Sequence, residues 1–394
     1  MHTHDSERQA EPALTPEQPA RMSRRRYLQT MGLAAVGLLA EGCMPRPEAS
    51  APTPNPTAPS APAPTQAASS RAARVAIAQA ASYEPALVRK QVRALIDGIG
   101  GLDDLVKRGP RVAIKVNLTG GTSSKPVAGG VAPIESFVTH PEVVRALAEA
   151  LREAGARDLY IVEAVYERAS FTQWGLDEVA KAVGATLVDL NNPAPYPEFA
   201  RVPVGAGALI YQDFTLHPLL QEIDAFVSVA KIKCHAIGGV TLSMKNLFGL
   251  APLQLYRNSP QDTYRSKFHG DAEETGARVP RIVVDMNRAR PIHLALLDGI
   301  KTVEGGEGPW IGSMRPVAPG VLVAGKQALA TDAVATAVMG FDPRGSYPST
   351  PFNYGDNHLN LAAELKLGTN RLDEIEVVGA SIADVRWQFK PAVQ

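Results

Sequence analysis

The chain has 394 residues, and its 40 Lys plus Arg balance its 40 Asp plus Glu, so no basic excess points to nucleic acid. Its two cysteines exclude a disulfide framework, a cysteine zinc site and an iron–sulfur cluster of its own. Hydrophobic residues at 45% and charged residues at 20% are what a globule with an ordinary core requires.

Ser23-Arg24-Arg25-Arg26-Tyr27-Leu28 precedes a short apolar run from Met31 to Ala40. That run falls short of the roughly 20 residues of a membrane helix, and its basic flank suits an export signal. Paired arginines before an aromatic residue and a leucine resemble the twin-arginine signal. Residues 1–42 are therefore expected to be a signal peptide handled by the twin-arginine translocase. Leu39-Ala-Glu-Gly-Cys43 resembles a lipoprotein cleavage box, with Ala40 where leucine is usual and Glu41 an odd neighbour. It predicts an acylated Cys43 and an exported protein of the cell envelope, lipid-anchored on the extracytoplasmic side of the membrane. The alternative is cleavage nearby and free secretion. Residues 43–70, rich in Pro, Ala, Ser and Thr, read as an extended tether at about 3.1 Å per residue, or as filler.

Residues 71–394 alternate apolar runs with helical patterns. Strands are expected at Arg74 to Gln79, Arg111 to Asn117, Asp158 to Glu163, Thr186 to Leu190, Ala225 to Lys233, His293 to Leu297, Val321 to Ala324 and Glu376 to Val378. Helices are expected at Pro85 to Gly98, Pro141 to Ala154, Leu176 to Val183, Leu219 to Ile223, Arg281 to Arg288 and Asp332 to Met339. Thr139 is the expected cap of the Pro141 helix. Short, continuously apolar strands between helices predict an α/β fold: a mainly parallel sheet flanked by helices, in one large domain or two packed lobes.

In such sheets ligands bind beyond the carboxyl ends of the strands. Polar residues collect there. Lys115 and Asn117 lead into the glycine-rich Thr119 to Lys125 segment, and other strands end in Glu163 and Asp298. Lys231, Lys233 and His235 alternate along one strand and share a face if it stays extended. Two ammonium groups and an imidazole in one row are tolerable opposite acids or an anionic ligand. Thr241, Lys245 and Asn246 follow at turn or helical spacing, and His140 sits at the start of the Pro141 helix, where an anion is favoured. His140 also reads as a local cap, Asp298 and Asp332 as caps, and Glu304 to Pro309 as a lid or a plain glycine loop. His269 and His293 are weak candidates; His217 and His358 read as structural or surface residues.

Lys115-Val-Asn117, Thr139-His140-Pro141, Lys231-x-Lys233-x-His235 and Val240-Thr241 to Lys245-Asn246 to Gly249 resemble a bacterial and archaeal family known as domain of unknown function 362. Asp298 to Ile300, Glu304 to Pro309 and Asp332 to Ala335 resemble its later elements. The likeness runs over roughly residues 73 to 380 and implies no established reaction. Some members carry a ferredoxin-like cluster domain, for which this chain lacks the cysteines. Where the family often places an aspartate near a glycine, this chain has Glu163 followed by Ala164.

Three functions fit these residues. In the first, an enzyme performs acid–base chemistry on a small carboxylate or phosphate compound. Lys233 or Lys245 and His235 transfer the proton, while Lys115, Asn117, Thr139, His140, Lys231, Thr241 and Asn246 hold the anion. In the second, the same donors belong to a non-catalytic binding protein for an anionic ligand. In the third, His140, His235, Glu163 and Asp298 bind a metal; no cofactor is otherwise identified.

Overall fold

The computed structural model describes residues 73–393, apart from residues 108 and 110. The expected signal peptide, the cysteine at Cys43 and the expected tether lie outside the described residues.

The strands are β1 (Ala73–Gln79), β2 (Arg111–Lys115), β3 (Asp158–Glu163), β4 (Thr186–Asp189), β5 (Ala200–Pro203), β6 (Asp213–Leu216), β7 (Ala225–His235), β8 (Gly239–Thr241), β9 (Leu294–Glu304), β10 (Arg315–Val317), β11 (Val321–Gly325) and β12 (Ile375–Gly379). Among the described residues ten of them form one sheet, in the order β12-β1-β11-β9-β7-β2-β3-β4. In that run β11 alone opposes its neighbours, and β8 and β10 add short antiparallel partners to β7 and β9. The sheet is thus mainly parallel, and helices cover both faces. β5 and β6 form a separate hairpin.

Period-two alternation explains the two-sided burial. Val75, Ile77, Ala113, Val162, Phe226, Leu297 and Val323 join one apolar cluster with Val283 and Val334 of the helices Thr275–Ala289 and Ala328–Val338. Their strand neighbours Ala76, Ile114, Val227 and Leu296 are equally buried and turn the other way. On that face lie the helices Pro85–Gly98 and Pro141–Glu153, joined along their outer edge by Arg89–Glu149 and Arg93–Glu153 ion pairs. Those pairs are exposed and contribute little.

Several boundaries differ from expectation for identifiable reasons. The strand expected to end at Asp298 runs on to Glu304, because its outer half pairs with β10 and with Lys233. The last long helix begins at Ala328, so Asp332 lies inside it rather than at its start. The N-cap of the Pro141 helix is His140, whose Nδ1 accepts from Glu142 N at 3.2 Å. Thr139 instead accepts from Asn117 N at 2.9 Å and donates to Val229 O at 3.0 Å, tying β2 to β7.

Candidate functional site

β7 extends several residues beyond the end of β2, and β8 folds back on it, pairing Lys233 with Thr241 and His235 with Gly239. The pairing with β9 slips between Lys231 and Lys233, so these two lysines meet different partners.

Lys231 is fully buried. Its Nζ donates to Tyr83 Oη at 2.6 Å, Asp298 Oδ2 at 2.7 Å and Lys301 O at 2.9 Å. The Tyr83 ring stacks on His140 with centroids 3.5 Å apart. Lys115 is equally buried, with Glu163 Oε2 at 2.8 Å, Val116 O at 2.5 Å and Asn246 Oδ1 at 3.2 Å. Both lysines therefore have three acceptors, one of them a carboxylate.

Lys233 has acceptors but no bonded carboxylate. Its Nζ donates to Phe137 O at 2.6 Å, Asn117 Oδ1 at 3.1 Å and the main-chain oxygen of Glu307 at 3.1 Å. Asn117 in turn donates to Asn246 Oδ1 at 3.2 Å, which also accepts from Lys115, so one amide chain links the two lysines. Burial lowers Lys233 to about 7, against the pull of Glu307.

Lys245 differs from all three. It opens a short 3-10 helix, Lys245–Leu250, and is 8% exposed. Among the described residues its ammonium has no hydrogen bond or ion pair, only the Phe248 ring at 3.9 Å. Burial lowers it to about 8, with Glu307 opposing and Arg265 assisting. Around it stand His235, His269 and His358, each of which feels its charge. His235 Nδ1 accepts from the main-chain N–H of Ile237 and Gly238, both at 3.1 Å, which leaves Nε2–H as the donor of the neutral ring. His269 Nδ1 lies 3.2 Å from Arg265 O. Burial holds His235 well below an ordinary histidine and lowers His269 to about 4 and His358 to about 3. The Glu307 carboxylate accepts from Ala236 N at 3.0 Å and Trp310 Nε1 at 3.2 Å. His235, His269 and Glu307 are half-buried, so the cluster reaches the surface there.

The structure thus divides the sequence-selected residues. Lys233, His235 and Lys245 lie within electrostatic reach of one another, with Asn117, Asn246 and Thr241 alongside. Lys231 and His140 belong to the Tyr83–Asp298 group. Burial lowers His140 to about 4. Asp332 accepts from Ser243 N, Ser243 Oγ and Met244 N, bracing the turn before Lys245. Among the described residues no group of three or more His, Cys, Asp and Glu has the arrangement of a metal site; Glu163 and Asp298 are engaged by lysines. A separate surface depression of about 330 Å³, lined by Tyr211, Lys267 and Arg278 among others, contains none of the selected residues.

Sequence reasoning missed three contributors. Tyr83 bonds both Lys231 and Asp298, and only its position after the first strand hinted at a site. Glu167 accepts from Thr122 and Ser123 and pins the glycine-rich segment. His358, read as structural or surface, is fully buried, and neither ring nitrogen has a hydrogen-bond partner.

Residues 112–337 match the family model described as Domain of unknown function (DUF362), and the chain belongs to that family. The matched segment holds Lys115, Lys233, His235 and Lys245; Tyr83 and His358 lie outside it. A thylakoid-associated protein of Synechocystis sp. is 28% identical over 296 residues, 75% of this chain and 80% of that protein. Among solved structures, the lactate racemase apoprotein from Thermoanaerobacterium thermosaccharolyticum aligns over 62% of this chain and 54% of its own, with a TM-score of 0.34 and 13% identity. A Thermotoga maritima protein aligns over 62% and 56%, with a TM-score of 0.32 and 10% identity. The chain spans little more than half the length of these two structures.

Proposed function

We propose that this is an exported, membrane-tethered protein whose folded domain takes up a small anion at Lys245. There it performs proton-transfer chemistry on a carboxylate or phosphate compound. The observation carrying this reading is the Lys245 ammonium: nearly buried, without a hydrogen bond or ion pair among the described residues, and beside Lys233 and His235. An unpaired ammonium on a residue with so little exposure is poorly solvated, and negative charge from a ligand would stabilise it. Lys245, lowered to about 8, exchanges a proton near neutral pH, and the His235 Nε2–H is placed to donate beside it. Lys233, held by three oxygens, adds its positive charge to the site when protonated. Lys115 and Lys231, each bonded to a carboxylate, act through the frame they hold.

The arginine pair at Arg24 and Arg25 and the cysteine at Cys43 support export and anchoring, and the thylakoid association in the relative's name is of the same kind. Replacing Cys43 with Ala is expected to move the protein from the membrane to the soluble fraction, and replacing both arginines with Lys to block export. At the site, His235→Gln separates catalysis from binding alone. Loss of turnover with the anion still bound supports the enzyme; unchanged biological activity assigns a receptor.

A further inference from the structure

Lys245 and two groups near it remain without partners among the described residues, and one of them lay outside the sequence-selected set. His358 opens the helix His358–Glu364 and is fully buried, yet both ring nitrogens lack a hydrogen bond. The Gly238 main chain is the group beside it that favours its protonation, although neither ring nitrogen finds a hydrogen-bond partner. A buried polar group left unpaired is costly, and such groups in native folds call for an occupant. The other two are the Lys245 ammonium and the Nε2–H of His235, each without a partner among the described residues.

We propose that His358 contacts the ligand directly and that the ligand is a phosphate group, free or as a small monoester. This rests on the anion-binding reading above and narrows its ligand class. Lys245 offers three N–H donors, and His235 and His358 one each as neutral rings. Those donors come from three separate elements: the end of β7, a 3-10 helix and the start of a distant helix. A carboxylate presents about four lone-pair sites in one plane, whereas a phosphate turns three strong acceptor oxygens in different directions. The fourth nitrogen environment agrees: His269, with Nδ1 facing Arg265 O, keeps Nε2 as an acceptor for a protonated phosphate oxygen. Charge agrees as well. Lys233 and Lys245 share the single carboxylate of Glu307, and Arg265 adds positive charge beside Lys245, an excess that suits the roughly −1.5 to −2 of a phosphate near pH 7.

The test is calorimetric titration of the purified full chain at pH 6.5 with inorganic phosphate, glycerol 3-phosphate and succinate. Parallel titrations use His358→Gln and His358→Asn, each checked for a cooperative melt. Phosphate or its ester is expected to bind at one site at least tenfold tighter than succinate. Either His358 variant is expected to weaken that binding by about 10–100-fold, the range of a lost hydrogen bond to a charged group. Tighter binding of the ester assigns an organic phosphate; equal binding assigns the free ion. If succinate binds as well as phosphate, or both folded His358 variants bind phosphate like the parent, this inference falls and the anion site stands. If none of the three binds the parent chain, the anion site falls too.

Discussion

Lys115 Nζ lies 2.8 Å from Glu163 Oε2 in a pair where the lysine is fully buried and the side chain of Glu163 is 6% exposed, and Gly249 packs directly against both. Its absent side chain is a requirement of that pair. A Cβ at Gly249 would overlap Glu163 Oε1 and stand 2.5 Å from Lys115 Nζ. Gly249→Ala is therefore expected to force the pair apart and to cost about 3 kcal/mol, the scale of a disrupted buried ion pair. Gly312→Ala, with nothing within 4 Å of the added carbon, is expected to stay within about 0.5 kcal/mol of the parent in urea unfolding.

The Lys231–Asp298–Tyr83 group predicts a different pattern. Asp298→Asn leaves a fully buried ammonium without its counter-charge and is expected to cost about 3–5 kcal/mol. Tyr83→Phe removes one hydroxyl from the same group and is expected to cost about 1–3 kcal/mol. The double change Lys231→Met with Asp298→Leu removes both charges and should recover much of the first loss. Additive costs in the double variant would mean the two residues are not coupled.

Stability should respond to acid through the histidines. The unfolded chain takes up their protons near 6.5, whereas the folded chain holds His140 and His269 to about 4 and His358 to about 3. Over that interval the unfolded state binds more protons, so stability falls as pH drops from 6.5 toward 4 and is retained above 6.5. Melting temperatures at pH 7, 5.5 and 4.5 are expected to decrease in that order, and His358→Gln is expected to flatten the trend.

Much of this arrangement was legible in the sequence. Apolar strands alternating with helices require a covered parallel sheet, and the polar residues at the strand ends fall where such sheets place ligands. What the sequence could not separate is which lysines are neutralised at home. Lys115 and Lys231 meet Glu163 and Asp298 across 48 and 67 residues of chain, pairings that depend on strand order. His358 was illegible for a related reason: it comes within reach of the Lys245 charge from a helix far along the chain, and no local pattern marks it. The extension of β9 beyond Asp298 followed from its pairing with β10, a short strand with little apolar signal of its own.

Anion affinity should carry the signature of Lys233 and Lys245, the two of the four site lysines that lack a bonded carboxylate. Lys233 titrates at about 7 and Lys245 at about 8, and each attracts an anion only when protonated. Binding is expected to be strongest below pH 7 and to weaken at least tenfold between pH 7 and pH 9, one pH unit per lost proton being a factor of ten. The curve should shift when Lys245 is replaced by Arg, which stays charged throughout.

The most direct measurement is a titration of the parent chain and of Lys245→Met with a panel of small anions at pH 6.5, followed by calorimetry alongside a thermal melt. The account predicts one saturable site in the parent chain, and affinity reduced at least a hundredfold in a variant that still melts cooperatively. Equal affinity in the two proteins, or no binding to the parent by any anion in the panel, would contradict it.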